Sequence, residues 1–110
     1  MTTKYYKISD VTSEQNKRAL AEAGDIIRRG GLVVFPTETV YGLGGDATSS
    51  ASARAIYAAK GRPADNPLII HVARPSDAAL YTRTNPVFDR LAARFMPGPL
   101  TVILPSLSSI

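Results

Sequence analysis

Two polar stretches carry the chemistry of this chain, each beside an apolar, β-prone run. The first is Pro36-Thr37-Glu38-Thr39-Val40-Tyr41-Gly42-Leu43-Gly44. The second is Lys60-Gly61-Arg62-Pro63, followed by Asn66-Pro67-Leu68-Ile69-Ile70-His71. Together they offer hydroxyls, glycines, two cations, an amide and the chain's one histidine. That set suits a polyanion held beside a small polar molecule.

Thr37 and Thr39 follow a buried-strand pattern, where α/β sheets place ligands. A hydroxyl there donates to a carboxylate or accepts from an ammonium group; equally, it satisfies the backbone of a turn. Gly42, Gly44 and Gly45 allow either a close backbone approach to a ligand or a tight turn. They match neither the phosphate-loop pattern nor the full dinucleotide fingerprint. Lys60 and Arg62 straddle a glycine at the end of a helical pattern. The helix dipole alone favours cations there; an ammonium beside a bidentate guanidinium is also a triphosphate clamp. Pro63 and Pro67 bracket that loop and lower the entropy lost on binding. Asn66 reads a base or sugar edge, or holds the turn before Pro67. His71 sits in a β-prone run as a structural group or a site residue. The lack of cysteine and of a second histidine argues against a zinc site there.

The elements that position these residues alternate. Tyr5, Tyr6 and Ile8 suggest an initial strand within residues 1–11. Thr12-Ser13-Glu14-Gln15 reads as a capping box, opening a helix with Leu20, Ala23, Ile26 and Ile27 on one face and ending at Gly30-Gly31. Leu32 to Phe35 is a short buried strand, and residues 36–48 a loop. Ser49 or Ser50 caps a second helix through Ala59, with Ala53, Ile56 and Tyr57 inward; residues 60–67 are a second loop. Leu68 to Val72 is the next strand, and Ser76 caps a short helix. Asn85-Pro86 opens another helix, with Val87, Leu91 and Phe95 at i, i+4, i+8. Pro97-Gly98-Pro99 breaks it before a third β-prone run, Leu100 to Leu104. This order predicts an α/β layered fold in one domain, residues 1–110.

At 45% hydrophobic and 20% charged, the composition is that of a globular protein. The absence of cysteine suits a reducing cytoplasm. The first ten residues lack the apolar core of a signal peptide, and no apolar run approaches the ~18–20 residues of a membrane span. The net charge of +4 fits ATP or RNA as partners, or scattered solvated arginines.

Four motifs in order resemble the YrdC-like family of threonylcarbamoyl-AMP synthases: PTETVYGLG at 36–44, KGRP at 60–63, NPLIIH at 66–71 and PGPLTVIL at 97–104. The resemblance covers roughly residues 13–105. It implies a twisted mixed sheet with flanking helices around a basic cavity. It also implies nucleotidyl transfer: L-threonine, bicarbonate and ATP form threonylcarbamoyl-AMP and pyrophosphate, for modification of tRNA by other proteins. By that resemblance Thr39 and His71 hold L-threonine, and Lys60, Arg62 and Asn66 hold ATP. Thr37 and Tyr41 are further candidates from the same loop, and Thr101 lies near the pocket. Mg²⁺ is expected with the nucleotide, held mostly by phosphates and water, and direct contact with tRNA is a further expectation. Family members continue into a serine–alanine–asparagine motif and further strands. The expectation is therefore an incomplete sheet with an unpaired edge.

Two other readings compete. A carbamoyl-transfer domain of the same fold would use carbamoyl phosphate in place of L-threonine and bicarbonate. An RNA-binding module would use the basic face without catalysis, although no aromatic-interleaved stacking motif of the RRM kind is present.

Overall fold

The computed structural model describes residues 3–61 and 67–107. Arg62 and Asn66, both expected at the nucleotide, lie outside the described residues.

Helix α1 spans Glu14–Arg28. Its cap is Ser13, whose side chain accepts from the Asn16 N–H at 3.2 Å. Thr12 is not part of a capping box. Its N–H and hydroxyl both donate to the Asp10 carboxylate, at 2.9 and 2.6 Å. The same construction opens helix α2, Ser50–Lys60: Thr48 donates to Asp46 at 2.9 and 2.6 Å, and Ser49 caps by accepting from the Ser52 N–H. Two Asp-x-Thr-Ser segments, 10–13 and 46–49, thus start the two helices by one mechanism. The Thr12 and Thr48 hydroxyls, then the same residues' N–H groups, hold the Asp10 and Asp46 carboxyls below their ordinary range.

Among the described residues the expected first strand does not form. Residues 3–12 are exposed and form no ladder, and an ion pair from Lys4 to Glu22 ties them to α1. On α1, Ala23, Ile26 and Ile27 are half-buried as expected, but Leu20 is exposed.

Strand β1, Val33–Phe35, pairs antiparallel with β2, Gly42–Gly44, in the register Val33↔Gly44, Val34↔Leu43, Phe35↔Gly42. The loop expected over 36–48 is thus a hairpin connection, residues 36–41, followed by a strand. Glycine is a poor strand former, so β2 is silent in the sequence. Its pairing comes from β1, and its bare Cα positions are filled by the Phe35 ring (below).

Residues 68–72 and 100–104 form no ladder among the described residues. They remain chain that alternates in exposure, with Ile70, Val72, Val102 and Leu104 half-buried and Ile69 and Ile103 facing out. A strand needs a partner at hydrogen-bonding distance, and periodicity alone does not supply one. The pairing nearby is short: Thr82 bridges Ser106, Arg83 N–H donates to the Pro105 carbonyl at 2.8 Å, and Leu107 N–H to the Tyr81 carbonyl at 2.7 Å.

The short helix expected after Ser76 is a 3₁₀ helix, Pro75–Leu80, with no side-chain cap. Helix α3, Pro86–Phe95, is capped by Asn85, which accepts from the Phe88 N–H at 2.9 Å. Its buried stripe is Phe88 and Ala92, not Val87 and Phe95, which are exposed; Leu91 is half-buried. The stripe keeps the i, i+4 spacing but is rotated by one residue.

The core is thin. Among the described residues Ile56, Phe88, Ala92 and Ser52 are buried. Gly45 lets α2 close onto the strand end; a Cβ there would stand 3.0 Å from Leu32 and 3.4 Å from Ser52. The radius of gyration, 15.2 Å, exceeds the roughly 13 Å of a compact domain of this length.

Candidate functional site

The hairpin brings the first motif to the end of β1. Phe35 closes the strand, and residues 36–41 leave from it. The Thr37 hydroxyl donates to the Val40 carbonyl and accepts from the Thr39 N–H at 3.4 Å. Thr37 therefore holds the loop closed, as its turn reading anticipates. Thr39 sits in the turn so formed, exposed, and its hydroxyl has no partner among the described residues. Tyr41 is 74% exposed beside it.

The second motif meets the strand that leads into the first through an aromatic contact. The His71 ring stands edge-to-face with Phe35, centroids 5.9 Å apart and planes at 74°. His71 Nδ1 lies 3.3 Å from the Ile69 carbonyl oxygen. A carbonyl only accepts, so this pairing puts the ring proton on Nδ1 and leaves Nε2 of the neutral ring as an acceptor. The Thr39 hydroxyl, unpartnered among the described residues, lies in the loop that leaves β1, and the imidazole acceptor lies against Phe35, the residue that ends β1. Both suit an amino acid's carboxylate, ammonium and hydroxyl groups.

Lys60 is the last residue of α2 and is exposed. Gly61 follows in the left-handed region, φ 65°, and turns the chain out of the helix. Phosphates ordinarily favour helix N-termini. At this C-terminus the carbonyls present partial negative charge, so attraction for a polyanion rests on the cations. The Lys60 ammonium forms no ion pair among the described residues, where the ion pairs are Lys4–Glu22, Arg28–Asp25 and Arg74–Asp77. No hydrogen bond or ion pair joins Lys60 to the Thr39–His71 side among them. Thr101 is exposed in the 100–104 segment. No group of three or more metal-ligating side chains occurs among the described residues.

Two grooves lie elsewhere. One of about 660 Å³ runs between the N-terminal arm and α1, lined by Tyr5, Tyr6, Arg18 and Glu22. The other, about 340 Å³, lies among Pro75, Phe88, Ala92 and Met96. No predicted site residue lines either. The first is an open trough whose acid is already paired with Lys4, so the chemistry-bearing residues mark the site better than the concavities do.

Sequence reasoning passed over Phe35. Its ring covers Gly42 and Gly44, where a Cβ would approach it to 3.2 and 2.8 Å. The available signal was the pair of glycines two apart, which leaves one face of β2 bare.

The Sua5/YciO/YrdC family model, described as telomere recombination, matches residues 25–110. The chain belongs to this family. The threonylcarbamoyl-AMP synthase of Pyrococcus abyssi is 52% identical over 84 residues, covering 76% of this chain and 25% of that protein. The Bacillus subtilis synthase is 46% identical over 110 residues, covering 96% and 31%. A doubly substituted P. abyssi Sua5 superposes with a TM-score of 0.82 at 44% identity, over 90% of this chain and 29% of that one. P. abyssi Sua5 complexed with L-threonine superposes with a TM-score of 0.77 at 46% identity, over 89% and 28%. The chain therefore has the family's α/β fold, with an incomplete sheet, and spans about a quarter to a third of these relatives' length. No helix among the described residues is long and apolar enough to cross a membrane.

Proposed function

We propose that this chain carries the L-threonine side of a threonylcarbamoyl-AMP synthase, together with the cations of its nucleotide side. The observation that carries the reading is the contact of His71 with Phe35, which sets the imidazole at the strand end from which the Thr39 loop departs. A relative of the same fold binds L-threonine, and other relatives are synthases by name.

The reaction needs no covalent enzyme intermediate. The threonine amine attacks bicarbonate, giving a carbamate and water. A carbamate oxygen then attacks the α-phosphorus of ATP and expels pyrophosphate. Thr39 and His71 hold the amino acid: the hydroxyl donates to its carboxylate, and Nε2 accepts from its ammonium or hydroxyl. Lys60 and Arg62 neutralise phosphate charge, and Asn66 holds the nucleoside. Tyr41 borders the amino acid, while Thr37 shapes the loop. Mg²⁺ enters with ATP on the phosphates. Acceleration comes from alignment and charge neutralisation. The product serves a cytoplasmic tRNA-modifying transfer.

The test is pyrophosphate release from ATP by the purified chain, omitting L-threonine and bicarbonate in turn. Release that requires both supports the reading. Release indifferent to threonine, or driven by carbamoyl phosphate, refutes it.

A further inference from the structure

We infer that Phe35 is a positioning residue: packed over Gly42 and Gly44, its ring sets the plane of the His71 imidazole that faces the substrate. This rests on the threonine-binding reading above.

Three observations converge. First, the segment around His71 forms no ladder among the described residues, so ladder hydrogen bonds do not orient that side chain. Second, the imidazole meets the Ile69 carbonyl at Nδ1 and the Phe35 ring at 5.9 Å and 74°. The carbonyl selects the tautomer; a perpendicular ring restricts rotation about the Cβ–Cγ bond, where the intrinsic preference is broad. Third, Phe35 is itself held. Its ring atoms would stand 2.8 Å from a Cβ at Gly44 and 3.2 Å from one at Gly42. A side chain at either position would displace the ring, and the imidazole with it. The two glycines are therefore coupled to the amino-acid site through one aromatic side chain, without touching the ligand.

The chain's single histidine makes the test direct. With ring-labelled histidine, the His71 resonances report the ring current of Phe35 in the ligand-free chain, and titrations with L-threonine and ATP give separate affinities. Phe35→Leu keeps apolar bulk and removes the ring. Gly44→Ala keeps the ring and moves it. Phe35→Tyr restores it. The expected result is displaced His71 resonances in Phe35→Leu and Gly44→Ala. L-threonine affinity falls about two- to twelvefold, the range an aromatic pair supplies, with ATP affinity unchanged. Phe35→Tyr stays near wild type.

Unmoved His71 resonances in folded Phe35→Leu overturn the inference. So does an equal loss of threonine and ATP affinity, the mark of general destabilisation. If Phe35→Leu does not fold, Gly44→Ala against Phe35→Tyr decides by the same criteria. L-threonine that leaves the wild-type resonances unmoved refutes the threonine reading, and with it the substrate part of the inference. The ligand-free spectra still judge the Phe35–His71 coupling by itself.

Discussion

Ser52 offers the sharpest energetic test of the packing. Its residue is 2% exposed, and its Oγ has no hydrogen-bond partner among the described residues. It occupies the first turn of α2, where its N–H is already satisfied by Ser49 at 3.2 Å. The hydroxyl gains nothing from the cap and has left water. A buried, unpaired polar group costs about 1–3 kcal/mol, and alanine exceeds serine in helix propensity by roughly 0.5 kcal/mol. Against this, Ser52→Ala removes one oxygen's dispersion contacts from a tight junction, where the Ser52 Cβ faces Gly45. The net is a gain of about 1–2 kcal/mol, which at ~4–8 °C per kcal/mol raises the melting temperature by roughly 4–16 °C. Urea unfolding should give a higher midpoint at unchanged slope. Ser50→Ala, on the exposed first turn, is the control and should stay within about 0.5 kcal/mol of wild type. An unchanged or lowered midpoint for Ser52→Ala would refute the reasoning, because it requires the hydroxyl to have a partner that stabilises it.

Other consequences follow from the site and the caps. Arg62→Ala should weaken ATP use more than threonine binding, and Thr39→Ala should do the reverse; equal, negligible effects on both affinities would sink the site assignment. Asn85→Ala deletes the acceptor for the Phe88 N–H at the start of α3 and should destabilise by about 1 kcal/mol in chemical denaturation, with glycine at the same position milder. Asp10, Asp46 and Glu22 are all held below their ordinary range, the first two by threonine hydroxyls and Glu22 by Lys4 and then Tyr6. Because these folded values lie below the unfolded ones, the stabilisation is fully present above an ordinary carboxyl pKa of about 4 and is lost as pH falls through the depressed values. Carboxyl NMR titration should find all three midpoints below those of unfolded peptides, and Thr48→Val should return Asp46 toward the ordinary value.

What the sequence made legible was local. Ser49 and Asn85 cap where their side chains and the following pattern place them, because capping needs only a few consecutive residues. Ile56 is buried and Tyr57 half-buried, as the helical spacing demands. Errors arose where a distant partner decides. The runs at 68–72 and 100–104 alternate like strands, yet they have no ladder among the described residues. Gly42–Gly44 has almost no strand propensity, yet it pairs because β1 lies beside it and Phe35 fills its bare face. The α3 stripe slipped by one residue because both candidate stripes hold apolar side chains, and only packing chooses Phe88 over Val87. Thr37 was ambiguous between ligand and turn until the Val40 carbonyl claimed its hydroxyl. Phe35 was overlooked because an apolar residue ending a strand looks like core until its ring is seen to meet an imidazole.

The candidate residues share a further property: each lies outside the interior of a helix or ladder. Thr39 follows β1, Lys60 closes α2, and His71 lies on chain without a ladder. Such positions leave hydrogen-bonding groups unspent, because helix interiors and ladders consume theirs. The same positions are weakly held, so the site needs side chains that transmit rigidity from the packed part of the chain. Thr37 does this for the loop by hydrogen bonds, and Phe35 does it for His71 by ring contact. Gly45 serves α2 in the opposite way, because its missing side chain lets the helix and Leu32 close together. A substitution at Ile56 or Phe88 should therefore lower stability and all affinities together. A substitution at Phe35 or Thr37 should separate threonine affinity from stability. Measuring both quantities on the same variants distinguishes a site built on rigid supports from one that merely shares the fate of a marginal core.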